Sequence, residues 1–156
     1  MIKELLNYPL PGFHFSVSFG KLLPPGSADL RFQEVSGLSA ELVTEELAVG
    51  GENSFVYKIP VRAKFPNLVL KRALTPASSK LTKWAEDAIY HFDIKPAQVQ
   101  VVLLNDMHVP VSAWVFKNAY PVKLAVSDFN AMTNGIVIES FELAYQNSYK
   151  ISLNSI

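Results

Sequence analysis

The residues able to do chemistry in this 156-residue chain are few and poorly placed for it. Its three histidines are His14, His91 and His108, and none has a second histidine at a metal-ligand spacing. Asp106-Met107-His108 sets an acid two residues from a base, the minimum for a hydrolytic pair. The same triplet reads more simply as a hairpin turn, because Asp and His both tolerate turn geometry. Glu139 and Glu142 are an odd number of residues apart, so on one strand they face opposite ways and form no acid–base pair without a bulge. Glu41, Glu45, Glu46 and Glu52 form an acidic cluster without the Asp/Asn spacing of a calcium loop. A solvated strand edge, or a charge partner for Lys or Arg on another subunit, is the simpler reading.

Phosphate and nucleophile motifs fail in the same way. Neither serine of Ser36-Gly37-Leu38-Ser39 completes the G-x-S-x-G of a nucleophile elbow: Ser36 has no glycine two residues before it, and Ser39 is followed two residues on by Glu41. Gly20-Lys21 lacks the upstream glycine and the following Ser/Thr of a phosphate loop. Gly50-Gly51 is followed by Glu52, a carboxylate where phosphate needs positive charge, so a turn is expected there. The chain has no cysteine, which excludes disulfides, thiolate catalysis and Cys-zinc sites. The expectation is a non-enzymatic protein with no cofactor and no metal.

Lys+Arg and Asp+Glu are each 14, a formal charge of zero. That balance provides no electrostatic footprint for nucleic acid or an anionic membrane, and little repulsion against self-association. Trp114, Phe116 and Tyr120 could stack on bases, but the basic groove that accompanies such stacking is missing, so core packing is the expected role. No run of about 18 apolar residues marks a membrane span. The first residues, MIKELLNYPLPGF, are broken by Pro9 and Pro11 and lack a secretory-signal pattern, so production in a cytoplasm is expected.

The elements follow from periodicity. Apolar residues make up 49% of the chain, enough for one domain over 1–156 with a real core. Residues 1–12 read as an N-terminal arm and 146–156 as a C-terminal tail. FHFSVSF alternates, with Phe13, Phe15, Val17 and Phe19 on one face. The loop 20–29 carries Leu22 and Leu23, which either bury against a neighbour or fold back on their own core. LRFQEV breaks at Ser36-Gly37 and resumes as LSAELVTEELAV. SFVYKIPV (54–61), NLVLKRAL (67–74) and QVQVVLLN (98–105) are further strands. The segment 111–126 reads as a strand interrupted at Pro121, and 134–145 as a final strand with both faces part apolar and part charged. Leu81, Trp84, Ala85, Ala88 and Phe92 form one helical stripe, capped by Thr75-Pro76 or Ser78. About eight strands around one helix, without alternation, predict a mainly β fold, a two-sheet antiparallel barrel or sandwich with one flanking helix.

Several phrases, in order, carry a resemblance: FQEVSGLSAE, GGENSFVYKIP, NLVLKRAL, the helix with Trp84, VVLLND with PVSAWVFKNAYPVK, and NGIVIESFELAY. Over residues 8–146 the chain resembles the tail-tube family of contractile phages and phage-derived injection particles. The resemblance implies a two-sheet β-barrel with a flanking helix, shared with the hexameric tube protein of type VI secretion. It implies rings of six that stack into an inner tube within a sheath, above a baseplate. Residues 43–60 would form a hairpin-like segment reaching the neighbouring ring. The break at Ser36-Gly37 would let a strand leave the barrel for that arm, and the mixed faces of 134–145 would reflect a strand entering a neighbour's sheet. The long loop 20–29 and the tail look more like the specialised first ring that joins tube to baseplate. Subunit and ring contacts are expected at Leu22, Leu23, Glu45, Glu46, Gly50, Gly51, Glu52, Asn53, Glu139 and Glu142. The rival reading is a barrel that binds a small lipophile in its interior.

Overall fold

A computed structural model describes residues 15–24, 30–48, 50–51, 55–74, 79–133 and 135–152. The expected arm at 1–12, with Phe13, His14, Glu52, Asn53 and the cap candidates Thr75, Pro76 and Ser78, lies outside them. Among the described residues there are nine strands and one α-helix. The strands are β1 (Phe15–Phe19), β2 (Glu34–Ser36), β3 (Glu41–Leu47), β4 (Tyr57–Lys64), β5 (Leu68–Ala73), β6 (Ala97–Leu104), β7 (Pro110–Val126), β8 (Ile138–Ala144) and β9 (Asn147–Ser152). The helix α1 spans Lys80–Tyr90, between β5 and β6.

The strands pair antiparallel throughout. The order β1-β6-β7-β8-β5-β2 makes the main sheet, with β9 added on β7, and β3–β4 stands apart as a two-stranded sheet. β7 makes two layers out of this one path. Its first half pairs with β6 and β9, and from Tyr120 onward it pairs with β8. The strand expected to break at Pro121 is instead continuous for 17 residues. Its β8 register shifts between Pro121 and Lys123, and a bulge is where a residue without an N–H is tolerated in an inner strand.

Alternation predicts the core correctly in β1, β5 and β6. Val17, Phe19, Leu68, Leu70, Val99 and Val101 are buried, and they pack with Phe116, Phe141 and Leu143. α1 lies against β7 and closes the core with Leu81, Trp84 and Ala85. Trp84 meets Phe19 edge-on at 5.8 Å, and its Nε1 donates to the Lys95 carbonyl at 2.7 Å. The helix cap is Ser79, whose Oγ accepts from the Thr82 N–H at 3.1 Å. Phe92 does not belong to the buried stripe. The helix ends at Tyr90, and Phe92 has φ 54°, a left-handed conformation that turns its ring outward to 84% exposure.

Three further expectations change. Leu23 is buried in the chain's own core and Leu22 packs beside it, because both N–H groups bond back to the Phe19 carbonyl and fold the loop inward. Glu139 is buried as well, facing Arg72 across the β5–β8 pair, so its charge on an apolar strand is answered inside the barrel. Residues 147–152, expected as tail, form β9 and pair with β7 from Ser112 to Lys117.

Candidate functional site

Gly37 decides where the candidate site begins. It has φ +93°, and a Cβ added to it would lie 2.2 Å from the Asn67 carbonyl oxygen. Only glycine fits a left-handed turn pressed this closely on another backbone. The turn ends β2 on the main sheet and sends the chain outward into β3. The β3–β4 ribbon that follows is almost wholly exposed, and Val43 alone within its strands is half-buried.

The ribbon has a directional face. Glu45 opposes Ile59 and Leu47 opposes Tyr57, so these four share one side of its outer half. Phe55 extends that side, with its ring 5.1 Å from Tyr57. The other side is mixed, with Thr44 opposite Pro60 and Glu46 opposite Lys58. A register shift between Val43 and Thr44 twists the ribbon near its root. β3 carries Glu41, Glu45 and Glu46, while β4 carries Lys58, Arg62 and Lys64. Gly50 and Gly51 lie at the exposed distal end, and Gly51 adopts φ +88°.

At the root of the ribbon is an open groove of about 410 Å³. Leu38, where the chain enters the ribbon, and Phe65, where it leaves, line it with Trp114, Tyr145, Tyr149 and Lys150. Lys150 lies 5.3 Å from the Trp114 ring and Lys117 5.4 Å from the Tyr149 ring. The Tyr145 hydroxyl donates to the Pro66 carbonyl at 2.8 Å. Burial raises the pKa of that phenol above its ordinary value, against an opposing hydrogen bond with Ser148. In the sequence Trp114 reads as a core-packing ring within one of the family phrases, and Tyr149 and Lys150 fall in the expected tail. Their convergence depends on β9 returning to β7.

The chemically capable residues are elsewhere and apart. Asp106 and His108 sit in the β6–β7 turn, where Asn105 Oδ1 accepts from the Met107 and Val109 N–H groups at 2.9 and 3.0 Å. His91 caps the C-terminal end of α1. Glu142 Oε1 accepts from Asn67 Nδ2 at 3.1 Å within the chain. Among the described residues no group of three His, Cys, Asp or Glu side chains is placed to hold a metal, and no helix is long and apolar enough to cross a membrane.

An exposed apolar hairpin on a filled two-layer β core is an assembly geometry, and the sequence comparison names it. Residues 11–148 match the family described as T4-like virus tail tube protein gp19. The chain belongs to this tail tube family. No curated protein matches it by sequence. This tail tube protein is similar to a chain of the anti-feeding prophage (AFP) baseplate, at 28% identity and a TM-score of 0.82, covering 95% of this chain and 99% of that one. It is similar to a chain of the sheath–tube complex of the PVC extracellular contractile injection system, at 25% identity and a TM-score of 0.78, with 98% of each chain covered. It shares its fold with Hcp1 from Flavobacterium johnsoniae, at 16% identity and a TM-score of 0.57 over 90% of this chain and 96% of that one. It is a tail tube protein of the contractile-injection kind, in a structural rather than a catalytic family.

Proposed function

We propose that this tail tube protein forms hexameric rings that stack around a lumen, as the inner tube of a contractile tail or injection particle. The observation that carries this is the β3–β4 ribbon. Its outer half leaves Leu47, Phe55, Tyr57 and Ile59 exposed, and among the described residues no strand of the main sheet pairs with it. A two-stranded ribbon is marginal in water, and one with an apolar face acquires its cover from a neighbour. Glu45, Glu46, Gly50, Gly51, Glu52 and Asn53 then lie at the contact between rings. Glu142 and its partner Asn67 border the sheet surface beside it.

The similarity to an AFP baseplate chain over 99% of that chain's length supports a place at the first ring, next to the baseplate. The similarity to a sheath–tube complex supports a sheath as the outer partner. On this reading the protein is made in a bacterial cytoplasm and leaves as part of an assembled particle. The rival lipophile-binding barrel needs an empty interior, whereas Phe19, Phe116 and Phe141 fill the space between the layers.

Negative-stain imaging and native mass spectrometry of the purified protein, alone and with baseplate partners, test the proposal. Rings of six are expected. Monomers under every condition, with a co-purified small molecule, would overturn it.

A further inference from the structure

We propose that the outer half of the β3–β4 ribbon of one copy docks into the aromatic groove at the ribbon root of a second copy. This rests on the stacked-ring reading and names the landing site. The two surfaces match in chemistry. The ribbon presents Leu47, Phe55, Tyr57 and Ile59 with the carboxylate of Glu45 among them. The groove presents Leu38, Phe65, Trp114, Tyr145 and Tyr149 with the ammonium of Lys150, and no carboxylate lines it among the described residues. Apolar surface meets apolar surface, and Glu45 meets Lys150 in a place where aromatic rings exclude water.

The two surfaces belong to opposite ends of one ribbon. Leu38 precedes β3 and Phe65 follows β4, whereas Tyr57 pairs with Leu47 at the far end of β3 and Phe55 lies just beyond it. From Ser39 at the root to Leu47 the strand climbs about 26 Å, at about 3.3 Å per residue. A ribbon therefore does not reach its own groove, and tip-to-root contact is heterologous. A heterologous contact closes into a ring or repeats openly according to its geometry, and placed between rings it repeats in one direction, which is the symmetry of a growing stack. Each ring would offer grooves to one neighbour and ribbons to the other.

Disulfide trapping tests this cleanly, because the chain has no cysteine. Phe55→Cys and Ser39→Cys are made as separate variants. Both positions are exposed, and Ser39 lines the groove. A disulfide requires Cα atoms within about 7 Å, so no bridge forms within one chain. Mixed and oxidised after assembly, the two variants are expected to give the Phe55–Ser39 heterodimer as the dominant cross-linked species. Stacks without that heterodimer would overturn the inference while leaving the ring reading intact. Wild-type protein that forms no ring at all would overturn the ring reading itself. As a second measurement, Lys150→Glu is expected to weaken stacking at least about tenfold while single rings persist, and Glu45→Lys in the same chain to restore it. Stacking unaffected by Lys150→Glu, or a double variant no better than the single, counts against the docking.

Discussion

Arg72 Nε donates to Glu139 Oε2 at 3.1 Å, with both side chains more than nine-tenths buried. The pair ties three elements together. Arg72 Nη2 also donates to Ser79 Oγ at 2.7 Å and Thr82 Oγ1 at 3.0 Å in the first turn of α1, and Thr82 Oγ1 donates to Glu139 Oε1 at 3.1 Å. The Phe141 ring lies 5.0 Å from the guanidinium. A cation here faces the positive end of the helix dipole, and Glu139 is what compensates it. Glu139→Gln is therefore expected to destabilise by about 3–5 kcal/mol, and more than Arg72→Met, which leaves a carboxylate at the favourable end of the helix. Replacing both together, Arg72→Met with Glu139→Leu, is expected to cost less than Glu139→Gln alone. Chemical denaturation of the three variants decides the order, and equal losses for the two single variants would refute the dipole argument.

Gly37→Ala is expected to destabilise by at least about 1–3 kcal/mol, since its Cβ would collide with the Asn67 carbonyl and its φ is left-handed. Gly51→Ala, at φ +88° but with nothing within 4 Å, carries the conformational cost without the collision and is expected to lose less. Paired urea titrations of the two variants compare the effects.

Trp84→Ala is expected to cost about 3–5 kcal/mol, because the ring fills the seam between α1 and β1 and its N–H satisfies the Lys95 carbonyl. A variant melting with the wild type would show that α1 is not part of the core.

Shortening 48–53 is expected to leave the melting transition of the isolated chain nearly unchanged, within about 0.5 kcal/mol, because no described residue of β3 or β4 belongs to the core cluster. Ring stacking, followed by sedimentation, is expected to fall. Loss of folding instead would place this segment in the core.

Tyr145 gives a pH dependence with a definite sign. Its folded pKa lies above the ordinary 10.0, so the neutral phenol is favoured in the native state. That contribution is full below pH 10 and is lost as pH rises through the folded pKa. Tyr145→Phe is expected to flatten the alkaline limb of the stability curve and to cost about 1 kcal/mol at neutral pH for the bond to Pro66. An alkaline limb identical in the two proteins would exclude Tyr145 as its source.

Much of the fold was legible in the chain. Alternation in β1, β5 and β6 marked faces that are buried, and the helical stripe from Leu81 to Ala88 marked the face of α1. The glycine at 37 marked the point where the ribbon departs. Phe92 fits the same stripe yet lies outside, since a stripe does not record where the helix stops. Glu139 looked like a surface residue because its partner is 67 positions away. For Leu23, on a Pro/Gly-rich loop, periodicity leaves open whether it meets a neighbour or its own core, and the return to the Phe19 carbonyl decides for the core.

By itself the sequence determined most of the element types, the family and the poverty of catalytic spacing, since each of these is written in neighbouring residues or in the order of short phrases. The tertiary structure alone decided which charge is answered inside the barrel, that 147–152 is a strand, and that Leu38, Phe65, Trp114 and Lys150 make one groove. The physical reason is range. Periodicity reports what one residue's backbone imposes on the next few, whereas a buried ion pair or a groove depends on strands brought together by hydrogen-bonded register across the whole chain.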